Sequence, residues 1–224
     1  MKALLYKEFK LAMHYMCYMF VLVFPLMILI PGYPIAVGFI YILSCYPVLF
    51  LGANKGQQSN DLLYSVLLPV RKKDIVKARM FTVLIMQFTF IAIMSLLLPL
   101  AFVIGSGTNA DIPGLDLNGY VSVVSIAIIG YSIADLIFFS IYYKKGKSIV
   151  ASSVLTILGF VVYLGIFTIA IPYLPGIGEG YMKLLNNSGV GIQFIFLAFA
   201  LGISALMHLL VYKVGSKYLE QVDL

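Results

Sequence analysis

Long apolar runs constrain this chain more than any other feature. A bilayer core about 30 Å thick needs about 20 apolar residues of helix to cross it. Six stretches reach or approach that length, at about 15–31, 34–53, 80–104, 119–142, 149–172 and 191–213. With 62% hydrophobic and only 11% charged residues, the chain has too little polar surface to coat a water-soluble fold. Backbone groups in lipid must be paired within the protein, and the ten-residue alternation of barrel strands is absent, so helices are expected. The sequence predicts an all-α integral membrane protein with six transmembrane helices in a single domain, 1–224. The first two spans would be joined by the tight turn "PGYP", Pro31 to Pro34. No internal repeat or low-complexity tract divides the chain.

Orientation follows from the positive-inside rule. With the N-terminus inside, the inner segments carry Lys2, Lys7, Lys10, Lys55, Arg71, Lys72, Lys73, Lys77, Arg79, Lys144, Lys145, Lys147, Lys213 and Lys217, leaving Lys183 outside. Both termini are therefore expected in the cytoplasm, with the protein in the cell membrane. The outer loops hold Asp111, Asp116 and Glu179 among Gly and Pro. This topology accounts for the net charge of +6 without a nucleic-acid partner. Cys17 and Cys45 both lie in apolar runs and imply no disulfide framework. Charge recurs through Lys10 and no small-residue cleavage site follows the first apolar run, so that span is expected to be retained.

The segment between the second and third spans, 54–79, is long for a connection in a helical bundle. Its first part, "QQSNDLLYSVLLP", reads as a short helix capped by Ser59 or Asn60, favoured at its start by Asp61 and stopped by Pro69. Leu62, Leu63, Val66 and Leu67 form one apolar stripe on it. The second part, "PVRKKDIVKARM", should turn helical again and run into the third span, with Asp74 placed to pair with Lys77 or to soften the Arg71–Lys73 cluster. Such a segment suits the lipid headgroup plane and also the docking of a partner protein.

The pattern "LLYSVLLPVRKKDIVKARM" resembles the Leu-rich, "LPV", basic segment of type-2 ATP-binding-cassette (ABC) exporter permeases. It is most similar to the small bacterial branch that includes antimicrobial-peptide and phenol-soluble-modulin exporters. The six-span layout, the inward termini and a short N-terminal interfacial helix extend the resemblance. It implies that 54–79 is a coupling helix segment seated on a separate ATPase subunit, with Asp61, Leu62, Leu63, Val66, Leu67, Arg71, Lys72, Lys73, Asp74 and Lys77 as coupling residues. It also implies two permease chains and two ATPases, with ATP and Mg bound by the partner and no cofactor in this chain.

The N-terminal segment, about 1–14, can be read independently. On a 3.6-residue period Lys7, Lys10 and His14 share one face and Leu5, Phe9, Ala12 and Met13 the other, an amphipathic helix suited to the inner headgroup plane. Within the predicted spans the one acidic residue is Asp135, which must face the bundle and find a partner. It sits about four residues, ~6 Å, to the inner side of its span's middle. Gln87 and His208 lie at similar depths in theirs, so a polar cluster of Gln87, Asp135 and His208 is expected, with Tyr131 one turn away. Interhelical hydrogen bonding is its plainest role and a proton relay the alternative.

Other chemistry finds little footing. "GKS" at Gly146 to Ser148 fails as a phosphate loop, because Ile141 stands where the first glycine is required and a membrane span precedes it instead of a strand. Two histidines and no paired cysteines with zinc spacing give a metal site no ligand set. Ser132, Asp135 and His208 contain the residue types of a serine nucleophile, without its G-x-S-x-G turn. "NNS" at Asn186 is a chance-level glycosylation match.

The leading expectation is the membrane subunit of an exporter for an amphipathic or hydrophobic substrate, a peptide, toxin or lipid-like compound. The alternatives are a proton-coupled secondary transporter working through Asp135 and a non-transporting membrane immunity or sensor protein.

Overall fold

The computed structural model describes residues 2–12, 15–29, 70–107, 120–144, 149–180 and 190–220. The second predicted span, 34–53, and the first part of the 54–79 segment, with Asp61, Leu62, Leu63, Val66 and Leu67, lie outside them. Among the described residues six α-helices follow in chain order. α1 is Lys2–Lys7 and continues as a π-helical turn, Glu8–Ala12; α2 is Tyr15–Val23 and continues as a 3-10 helix, Phe24–Leu29. α3 is Lys72–Gly107, α4 Tyr120–Lys144, and α5 Ile149–Gly165, which runs on through a π turn and a 3-10 turn to Tyr173. α6 is Val190–Glu220.

Three of these, over Lys72–Leu97, Val121–Lys144 and Gly191–Glu220, are long and apolar enough to cross a membrane, and Val150–Gly165 is a shorter apolar helix. α3 has 36 residues and at 1.5 Å per residue is about 54 Å long. It exceeds the bilayer core, so its basic N-terminal turns project beyond it. The basic segment from Lys72 and the third apolar stretch are thus one unbroken rod.

α4 is the most buried of the three long helices. It lies against α5 on one side and α6 on the other, with α3 packed on α6 and on the extension of α2. Contacts fix the directions. Ser132 meets Ser204 and Asp135 meets His208, so α4 and α6 run parallel. Gln87 meets Asp135 and Arg79 meets Tyr142, so α3 runs antiparallel to both. α5 is antiparallel to α4, because a Cβ on Gly130 would sit 2.7 Å from Phe160 and Tyr163 while one on Gly159 would meet Ile137.

Lipid is as apolar as leucine, so close van der Waals contact and interhelical hydrogen bonds must hold such helices together. Small residues on α4 serve the first: Gly130 lets the Phe160 and Tyr163 rings lie against its backbone. The second is met by Tyr163, whose hydroxyl donates to the Ile126 carbonyl at 2.9 Å. Phe90, Ala134, Phe138, Phe139 and Val211 are fully enclosed around α4, whereas Val150, Leu158, Ile195, Phe199 and Leu206 face outward from α5 and α6.

Candidate functional site

Among the described residues two clusters bring buried acidic and basic side chains together. The inner one is centred on α4, where Asp135 is 1% exposed. Gln87 of α3 donates its amide N–H to Asp135 Oδ1 at 2.9 Å, and His208 of α6 brings Nε2 to Oδ2 at 3.0 Å. Gln87, Asp135 and His208 therefore touch, joining three helices at one depth. Tyr131 is also buried, stacks on Phe160 of α5 at 5.6 Å between centroids, and lines the same cleft as Gln87 and His208.

Hydrogen-bond roles around His208 follow from its other nitrogen. Nδ1 lies 2.7 Å from the Ser204 carbonyl, which can only accept, so Nδ1 carries a hydrogen. Ser204 Oγ is 3.4 Å from the same nitrogen and 2.8 Å from Ser132 Oγ, which also reaches the Ile128 carbonyl at 2.8 Å. Ser204 is the member sequence reasoning missed; its signal was its place one helical turn before His208. With Nδ1 already protonated and directed at a carbonyl, His208 cannot take a proton from Ser204. A serine nucleophile is therefore not assembled from Ser132, Ser204, Asp135 and His208. A narrow cleft beside the cluster is lined by Leu84, Gln87, Phe88, Tyr131, Ser204 and His208 among others.

The second group lies at the basic end, and the sequence did not reveal it. Arg79 of α3 is 3% exposed; its Nε is 3.5 Å from Glu8 Oε1, and its guanidinium donates to Tyr142 Oη of α4 at 3.0 Å. Lys7 Nζ approaches the same carboxylate at 3.5 Å. Two expectations change here. Lys7 does not share an exposed face with Lys10: it is 8% exposed, while Lys10 is exposed and bonded to Tyr6 Oη at 2.8 Å. A π turn over Glu8–Ala12 shifts the residue spacing away from 3.6, and the N-terminal segment packs on α3, so Lys7 and Glu8 turn inward. Nor is Arg79 part of a solvated basic run. The available signal was Glu8, the only acidic residue before Asp61.

The remaining coupling candidates lie on or just before the first turns of α3. Arg71 and Lys73 are exposed, Lys72 and Asp74 half-buried, and Lys77 exposed. Asp74 and Lys77 do not pair. Asp74 N–H closes a turn on the Arg71 carbonyl at 2.9 Å, leaving the carboxylate in the first turn, where the helix dipole favours it. Lys77 Nζ lies 6.0 Å from the Phe81 ring centre. Lys73 instead meets Glu220 at the far end of α6, at 3.2 Å with both side chains half exposed.

These contacts gather the N-terminal segment, the start of α3 and the ends of α4 and α6 at one end of the bundle. There a Cβ on Gly215 would stand 2.8 Å from Val76 and 3.1 Å from the Tyr143 ring. Among the described residues no cluster of three or more His, Cys, Asp or Glu side chains could hold a metal.

Long apolar helices with their basic ends gathered on one side define a polytopic membrane protein. The family model described as ABC-2 family transporter protein matches residues 3–216, and the chain belongs to that family. Members are generally non-catalytic membrane subunits of ABC transporters, which implies an ABC ATPase partner and a lipid bilayer. No curated protein matches the chain, and no solved structure does.

Proposed function

We propose that this chain is the permease subunit of an ATP-driven exporter that moves an amphipathic or hydrophobic substrate out of the cell. It crosses the cytoplasmic membrane six times with both termini inside, works beside a second permease chain, and draws on ATP and Mg bound by a separate ATPase. The observation that carries the reading is the family match across 3–216. The unbroken α3 rod supports the mechanism. A push from the ATPase on the coupling segment 54–79 would travel from Arg71–Lys77 along α3 as a rigid-body displacement up to the turn before Pro99, where the ring removes one backbone hydrogen bond from the helix. At its basic end α3 grips the N-terminal segment and α4 through Arg79, so those elements would move with it. Apolar walls with few ionisable groups suit a peptide, toxin or lipid-like substrate better than an ion or sugar.

The test is whether an ABC ATPase co-purifies with this chain, followed by substrate-stimulated ATP hydrolysis by the complex. The double variant Arg71→Glu, Lys72→Glu and the single variant Leu63→Asp should each lower stimulated hydrolysis at least tenfold while the permease still inserts. Unchanged stimulation in both variants would overturn the assignment of the segment, and the absence of any ATPase partner would overturn the permease reading.

A further inference from the structure

Across the six apolar stretches 15–53, 80–107, 120–143, 149–173 and 191–212, the first of which holds two predicted spans, only two residues are Asp, Glu, Lys, Arg or His: Asp135 and His208. They stand on different helices, 73 positions apart, and meet at 3.0 Å. Lipid-embedded charge is costly, and one acid meeting one base neutralises it within a single contact. We infer that Asp135 and His208 form a one-proton binding site that clasps α4 to α6, and that both loss of this proton and gain of a second release the clasp.

The proton count follows from the hydrogen bonds. Nδ1 of His208 is committed as a donor to the Ser204 carbonyl, so only Nε2 is left to face Asp135 Oδ2. A short N···O contact needs one hydrogen between the two atoms. That hydrogen sits on Nε2, giving imidazolium against carboxylate, or on Oδ2, giving two neutral partners; either way the pair carries one exchangeable proton and no net charge. Remove it and the lone pairs of Nε2 and Oδ2 face each other. Add another and two hydrogens meet. Both changes disfavour the 3.0 Å approach and act on the α4–α6 packing at its middle. Among the described residues the groups near the pair include Gln87 from α3, Tyr131 and Ser132 from α4, and Ser204 from α6, none of which carries a charge. Gln87 donates to Oδ1, which leaves Oδ2 for the proton. The adjoining cleft, lined by Gln87, Ser132, Ser204 and His208 among others, brings polar groups beside the pair. The site concerns this chain alone and does not rest on the export reading.

The chain has two histidines, so His14→Gln leaves His208 as the one imidazole reporter. The full chain carrying that change, labelled with ¹⁵N-histidine in lipid nanodiscs, is followed by NMR as pH is varied. Nδ1 should keep its hydrogen throughout, and Nε2 should pass through a transition while the protein stays folded. Asp135→Asn should displace that transition by at least one pH unit, a tenfold change in proton affinity. A bare Nδ1 in the parent chain overturns the proposal, as does a parent chain with no transition while folded, which marks a purely structural hydrogen bond. An unmoved transition in Asp135→Asn overturns it too. The first two readings need no substitution at Asp135, so the test survives a variant that fails to fold.

Discussion

At residue scale, the two polar groups invite opposite experiments. Gln87 supplies the N–H that satisfies Asp135 Oδ1, so Gln87→Leu leaves that oxygen without this donor. Hydrogen bonds between membrane helices are worth about 0.6 to 2 kcal/mol, so Gln87→Leu should destabilise the chain by about 1 kcal/mol in a reversible unfolding titration in micelles. Combining it with Asp135→Asn should cost less than the sum of the two single changes, since the substitutions share one contact. Glu8 behaves differently. Its carboxylate lies against both Lys7 and Arg79, all three enclosed, so Glu8→Gln removes the negative charge that the two cations share. Removing one partner of a buried pair costs about 3–5 kcal/mol, and the double change Glu8→Gln, Arg79→Met should recover part of it in the same titration. By contrast Lys73→Ala, which breaks the half-exposed pair with Glu220, should change stability by no more than about 0.5 kcal/mol. Depth counting could align Gln87, Asp135 and His208 because helical rise converts position to height. It could not show that Lys7 and Arg79 converge on Glu8, because that depends on a π turn and on how the N-terminal segment docks.

At element scale, α4 owes its central place to what it lacks. Gly130 has no Cβ, and the Phe160 and Tyr163 rings of α5 occupy the space one would fill, 2.7 Å away. An alanine there forces two rings aside, and a valine also pushes on backbone. Overpacking typically costs about 1–3 kcal/mol. Gly130→Val should therefore fall in that range, and Gly130→Ala below it, with the α4–α5 contact loosening before the α4–α6 contact does. Protection of the Ile126 carbonyl contact by Tyr163 offers a local readout: Tyr163→Phe should cost about 1 kcal/mol. Hydropathy placed 119–142 against the helix over 120–144 and found the start of the one over 190–220, but it stopped at 213, because the last turns, with Lys213, Lys217 and Glu220, are no longer apolar. Which helix sits in the middle was not legible. The three long apolar helices look alike in hydropathy, and burial is decided by small residues and ring contacts that form only after packing.

At the scale of the whole molecule, sidedness ties the sequence to the structure. The positive-inside rule placed the segments carrying Lys7, Arg71–Arg79, Lys144, Lys213 and Lys217 on one side. In the structure these same ends are joined by Glu8–Arg79, Arg79–Tyr142, Lys73–Glu220 and the Gly215 approach to Val76 and Tyr143, contacts that use no knowledge of a membrane. Two arguments of different origin thus select the same face. The helical path from Ile149 to Tyr173 leads away from that face, and Tyr173 at its far end is 82% exposed. With Cys17 and Cys45 replaced by serine, a single cysteine at Tyr173→Cys should react with a membrane-impermeant thiol reagent on intact cells. A single cysteine at Lys217→Cys should react only in inside-out vesicles. Equal labelling of both from one side would break, as a membrane topology, the arrangement in which α4 and α6 run one way and α3 and α5 the other.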